Sequence, residues 1–134
     1  FLKNSKVIGT DISPTIKKFE NTTIWNFNTY NPKWKKKYDF LYSNSFDHCT
    51  DPKRTLNIWF KYLKKNGLLF IDHSTSHGKR RQAVTDPCAI ETELFPYLVL
   101  HWLKGNGAII DYIQPQGIRK KSTRNKILII KKFN

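Results

Sequence analysis

Asp11 is the first residue whose type and place suggest chemistry. It stands near the end of residues 6–12 (KVIGTDI), a short run rich in β-branched side chains that reads as a buried strand. A carboxylate at the carboxyl end of a strand can accept hydrogen bonds from two adjacent ribose hydroxyls, because its two oxygens match a vicinal diol. The same acid can instead cap the helix that Ser13-Pro14 is suited to open. A second set, Asp72, His73 and His77, follows the apolar run 68–71. An acid with two histidines invites a metal, but the spacing fits no familiar zinc pattern and supplies no fourth ligand, so no metal is expected. A substrate contact or a base at His73 fits better, since ligands of open α/β sheets bind outside the carboxyl ends of the strands. Cys49 and Cys88 form neither a Cys-x-x-Cys pair nor a disulfide framework.

The elements that must position these residues follow from pattern. Strands are expected over 6–12, 22–28 (TTIWNFN), 38–43 (YDFLYS), 68–71, 108–113 and 126–132 (KILIIKK). A short helix should open at Ser13-Pro14. Asp51-Pro52 should open a longer one, with Leu56, Trp59, Phe60 and Leu63 on one stripe, Lys64 and Lys65 at its C-terminal end and Gly67 as its stop. Asp86-Pro87 should open another, with Ile90, Leu94, Leu98 and Trp102 inward and a kink at Pro96. Residues 31–37 and 72–85 read as exposed, basic connections. Apolar strands alternating with helices indicate a parallel sheet covered on both faces. The last two strands lack a helix between them, which suits antiparallel pairing. The expected fold is α/β: a Rossmann-like, doubly wound, mostly parallel sheet with an antiparallel C-terminal strand.

The chain has 134 residues, one domain's worth over 1–134. Hydrophobic residues at 39% and aromatics at 14% argue against disorder. No apolar run reaches the roughly 18 residues that a membrane span needs. Phe1-Leu2-Lys3-Asn4 has no signal-peptide features, and two cysteines without a framework suit a reducing, cytoplasmic setting. Lys and Arg total 24 against 10 acids, a net charge of +14. Such an excess implies a polyanion contact: nucleic acid, an anionic membrane surface or a phosphorylated substrate. A lysine- and asparagine-rich, alanine-poor composition also matches the codon bias of an AT-rich genome. The basic residues cluster at Lys33 with Lys35-Lys36-Lys37, at 79–81 and at 119–121 with Arg124.

Three segments, taken in order, resemble the class I S-adenosylmethionine-dependent methyltransferases. Residues 7–13 (VIGTDIS) look like that family's second strand, with its acid at the strand end. Residues 38–48 (YDFLYSNSFDH) look like its fourth strand and following loop. Asp51-Pro52, Leu56 and 63–71 (LKKNGLLFI) look like the "DP…L…LKPGGxLxI" stretch that comes next. The resemblance runs from about Lys6 to Lys132. The family's sheet is parallel except for an antiparallel last strand, as inferred above.

The resemblance implies S-adenosylmethionine as cofactor. Asp11 would take the ribose, Asn26 and Phe27 the adenine, and Ile12 would cover an adenine face. Asn26 keeps the acceptor of the family's more common Asp without its charge. Asn44, Ser45 and Phe46 would border the methionine end and the target atom. Asp47 and His48 are candidates for a base where the acceptor must lose a proton; His48 can equally serve the structure of its loop. The acceptor would be a small molecule or a nucleic acid. One departure matters: the family's first strand and glycine-rich turn have no counterpart, since only five residues precede Lys6. The reading is a single domain truncated on its N-terminal side, either a fragment of a longer frame or a domain that lost its first strand and helix. That strand would lie at the topological switch point of the sheet. Its neighbours would expose unpaired edges, which a homodimer or strand exchange could fill. The alternative function is a degenerate, non-catalytic copy of the fold that binds nucleic acid through its basic surface. A nucleotide-binding dehydrogenase fragment fits the terminal hairpin less well.

Overall fold

The structure, a computed structural model, describes residues 5–74, 87–114 and 125–134. Gly9–Asp11 (β1) and Thr22–Ile24 (β2) pair in parallel as a separate two-stranded sheet. Tyr38–Ser43 (β3), the helix Pro52–Tyr62 (α1), Leu63–Ser74 (β4), the helix Phe95–Leu103 (α2), Gly107–Ile113 (β5) and Asn125–Lys132 (β6) follow. Their strands form a second sheet in the order β3-β4-β6-β5. β3 and β4 are parallel, with Phe40 opposite Leu68 and Ser43 opposite Ile71. β6 lies antiparallel to both β4 and β5, so β3, β4 and β5 all point the same way. The sheet is thus mostly parallel, with its last strand reversed and inserted, which is the α/β fold class expected from the sequence.

Period-2 burial sets the core face. Leu69 and Ile71 of β4 and Leu128 and Ile130 of β6 are buried, while Leu68, Phe70, Ile127 and Ile129 on the opposite face are half-buried. α1 and α2 pack together over the buried face, adding Leu56, Trp59, Phe60, Phe95, Val99 and Leu103 to one cluster. Among the described residues no helix is long and apolar enough to cross a membrane.

The caps explain most element boundaries. Beyond β1, which spans only Gly9–Asp11 and is not buried, and β2, which stops at Ile24 short of residue 28, two expectations needed correction. Asp51 caps α1 through Arg54 N–H at 2.9 Å, and Pro52 stands in the first turn, as expected. The helix stops at Tyr62, however, and Lys64, Lys65 and Gly67 belong to β4. The fully buried Leu63 already faces Tyr38 of β3, so tertiary pairing overrides the helical period. The helix's last carbonyls are satisfied from elsewhere. Lys36 and Lys37 N–H donate to the Lys61 and Tyr62 carbonyls at 2.8 Å. The buried Lys132 Nζ donates to those of Phe60 and Leu63 at 2.8 and 2.9 Å. The second correction concerns α2. It begins at Phe95, and Pro96 opens it, since the first turn needs no proline N–H. Its buried face is Phe95, Val99 and Leu103, while Leu94 is 56% exposed. Asp86, the expected cap, lies outside the described residues.

Gly107 is where a side chain cannot fit: an added Cβ would lie 2.6 Å from the Lys131 carbonyl oxygen and 2.8 Å from the Phe60 ring. Gly107→Ala should lower stability by about 1–3 kcal/mol, read as a shift of the urea midpoint at constant m; an unchanged midpoint would contradict this packing. Cys49 and Cys88 are buried, which pushes both thiols up to about 12. Neither should react with a thiol reagent at pH 8 in the native protein, and both should react in denaturant.

Candidate functional site

The two sheets are not hydrogen-bonded to each other, and between β1 and β3 lies a cavity of about 370 Å³. Gly9 and Thr10 of β1 and Tyr38 and residues 40–43 of β3 line it from either side, and Asn44 and Ser45 continue the β3 side. Trp25, Phe27 and Trp34 line it from the segment after β2, and Trp59 and Tyr62 from α1. None of the described lining side chains carries a charge. Gly9 and Asp11 spend their backbone on the β2 side: Gly9 N–H reaches the Asn21 carbonyl and Trp25 N–H the Asp11 carbonyl, both at 2.9 Å. By the alternation of a strand, Thr10 turns its N–H and C=O toward the other edge of β1.

Asp11 is exposed at the end of β1. Its Oδ1 accepts the Ser13 N–H at 2.8 Å, so one oxygen caps the following turn. The other takes no hydrogen bond from the described residues. The Trp25–Asp11 bond brings Asn26 to the same end of the small sheet. Asn26 is exposed, and its Oδ1 accepts the Asn28 N–H at 3.0 Å. Phe27 stands in the cavity wall, edge-on to Trp59 at 5.7 Å. Ile12 is 67% exposed. Asn44 follows β3, and its Oδ1 accepts the Ser45 hydroxyl at 3.1 Å. The structure therefore brings Asp11 to Asn26, and Asn44 and Ser45 to Phe27. Asp11, Ile12 and Asn26 are not part of the cavity wall; they adjoin its members Thr10 and Trp25 along the chain.

The acid–base candidates sit differently. Asp47 is buried in a short 3-10 turn, Phe46–His48, and its carbonyl accepts the Cys88 N–H at 2.9 Å. His48 is exposed in the same turn. His73 is 2% exposed and stacks on Phe95 at 4.3 Å, with Nε2 2.9 Å from the Ile90 carbonyl. A carbonyl only accepts, so Nε2 must carry the proton. None of these three lines the cavity. His77 lies outside the described residues, and among those described no group of three His, Cys, Asp or Glu could hold a metal.

Sequence reasoning missed the aromatic wall. Trp25, Phe27 and Trp34 fall within ten residues, a density that was legible but that strand propensity alone absorbed. Volume and lining suit a small planar molecule with a polar end, since such sites occupy about 300–1,000 Å³ with few polar groups.

No protein-family model matches the sequence, and no curated protein sequence matches it. Solved structures do. The methyltransferase in a Haloferax volcanii complex with the Trm112 methyltransferase activator superposes with a TM-score of 0.75 at 12% identity, over 95% of this chain and 72% of its own. An S-adenosylmethionine-dependent methyltransferase structure from Listeria monocytogenes gives 0.67 at 11% identity, over 96% and 81%. The Burkholderia thailandensis 1,6-didemethyltoxoflavin-N1-methyltransferase, solved with 1,6-didemethyltoxoflavin and S-adenosylhomocysteine, gives 0.66 at 10% identity, over 96% and 62%. The chain has the class I methyltransferase fold. Within this methyltransferase fold, His73 is core. His73→Ala should cost about 2–4 kcal/mol through the lost ring contact and a carbonyl without its donor, while His48→Ala should cost under about 0.5. Equal melting shifts for the two variants would sink this assignment.

Proposed function

We propose that this chain is an S-adenosylmethionine-dependent methyltransferase domain. One observation carries the reading: β1 and β2 bring Asp11 and Asn26 to one end, beside an uncharged aromatic cavity whose opposite wall ends in Asn44 and Ser45. Asp11 would hold the ribose hydroxyls, with one carboxylate oxygen committed to Ser13 N–H and the other available. Asn26 and the Phe27 backbone would take the adenine edge, and Ile12 would cover a face. The bound cofactor supplies an electrophilic methyl group on a sulfonium. The chain's own contribution is alignment: Asn44 and Ser45 orient what approaches, and the aromatic wall excludes water. Where the acceptor must lose a proton, the exposed His48 would take it, whereas the buried Asp47 and His73 would hold the surrounding structure. The acceptor is a small molecule or a nucleic acid.

Titration calorimetry with S-adenosylhomocysteine tests this. The wild type should bind in the micromolar range, and Asp11→Ala should weaken binding at least about tenfold, roughly 1.4 kcal/mol. Asp11→Ser retains an acceptor for the Ser13 N–H, so it should keep the melting temperature and still lose the affinity. No heat of binding from a folded wild-type sample would refute the proposal.

A further inference from the structure

The structure assigns an exposed lysine surface, beside one end of the cavity, to the backbone of a nucleic acid. Lys33, Lys35, Lys36 and Lys37 occupy the connection that leads into β3, and all four are exposed. The 2.8 Å bonds from Lys36 and Lys37 N–H to the end of α1 fasten that connection beside a second exposed group, Lys61, Lys64 and Lys65. Tyr38 opposite Leu63 completes the junction. Across residues 33–39 and 61–65 the one acid is Asp39, and it is held by Lys64 at 2.8 Å.

Helix C-termini attract lysines, yet that explanation is spent here. The carbonyls of residues 60–63 are already taken by two backbone N–H groups and by the buried Lys132. Lys36 adopts a left-handed φ of 52°, a conformation that costs an L-residue about 1–2 kcal/mol. The anchoring bonds offset that cost, and the side chains are left to solvent. Like charges so gathered repel one another, and a polyanion relieves that.

Three kinds of polyanion differ in what else they need. A bilayer-binding surface pairs its cations with apolar side chains that insert, and a protein interface is depleted in lysine and anchored by exposed aromatics. Here Trp34 and Tyr38 are half-buried, Tyr62 and Leu63 are buried, and the exposed Tyr30 is already stacked on Tyr62 at 5.7 Å with the Lys61 ammonium over its ring. Seven exposed lysines around rings that are already engaged suit regularly spaced phosphates, read without base sequence. The lysines flank Trp34, Tyr38 and Tyr62, which line one end of the cavity, while Asn44 and Ser45 lie past the other end of β3, about 17 Å along the strand. Phosphates are held on the exposed lysine side chains, since none of the described lining residues is a cation.

Anisotropy with a 20-base-pair DNA duplex, titrated against salt, tests the assignment in the full chain. Each neutralised phosphate contributes a slope of about −0.9 in log K against log salt. The variant Lys33→Gln/Lys35→Gln/Lys37→Gln/Lys65→Gln should lose about 3 to 4 from that slope and more than about tenfold in affinity. Lys17→Gln/Lys18→Gln/Lys53→Gln, exposed lysines elsewhere, should change the slope by less than about 1. Duplex should slow amide exchange at 33–37 and 61–65 and leave 44–45 unchanged. Equal slopes for the two variants, protection at 44–45 instead, or binding to phosphatidylserine vesicles but not to duplex would each overturn it.

Discussion

Everything at the candidate site depends on one aromatic contact, the grip of α1 on the segment that follows β2. Two short parallel strands have little stability of their own, and β1 and β2 share no hydrogen bond with the larger sheet. They are held through what comes next. Trp59 Nε1 donates to the Phe27 carbonyl at 3.2 Å, and the two rings meet edge to face. The Tyr62 hydroxyl donates to the Thr29 carbonyl and accepts the Asn31 N–H. Trp34 packs against both Trp25 and Tyr62 at 5.5 Å. Each aromatic pair of this kind is worth about 0.5–1.5 kcal/mol beyond the area it buries. The placement of Asn26 and Asp11 relative to Asn44 is therefore set by α1, an element that contributes neither residue.

The same helix is fixed from its other end. Its capping acid is local, Asp51, but its C-terminal carbonyls are closed by residues far away in sequence: the connection into β3, and Lys132 in the last strand. A lysine buried there is tolerable because Nζ donates two hydrogen bonds to carbonyls at the negative helix end, although burial lowers its pKa. The chain's last strand thus locks the helix that positions its first strands. This long-range closure explains why α1 ends abruptly at Tyr62 with no glycine.

Local signals were legible in the sequence where chemistry is local. Tyr38–Ser43 was readable as a strand to the residue, Asp51-Pro52 as a helix start, and the antiparallel last strand from the missing crossover. Rossmann-like topology and the proximity of Asp11 to Asn26 followed from strand order. Signals that depend on partners were not legible. Lys64 and Lys65 look like a helix end until β3 claims Leu63. Pro96 looks like a kink until the true start at Phe95 makes it a first-turn residue. His73 reads as a reactive group at a strand end, yet its ring faces Phe95 because alternation along β4 turns residues 69, 71 and 73 to the same, buried side. Strand parity, counted from Leu69, was the available clue.

Charge and cavity meet where β3 begins. The lysines gather there on the exposed side, and the uncharged, aromatic space reaches the same junction through Trp34, Tyr38 and Tyr62 and runs along β3 to Asn44 and Ser45. With a net charge of +14, any anionic ligand feels an attractive field at every face, so long-range attraction alone cannot select a site. Selection must come from desolvation. A phosphate chain keeps its water at an exposed lysine surface and loses it in a cavity lined by indole and phenyl rings, where none of the described lining side chains is a cation. An adenine ring has the reverse preference. The exposed lysines and the aromatic space are thus suited to ligands of opposite solvation, and it is this difference, not distance, that keeps the two apart.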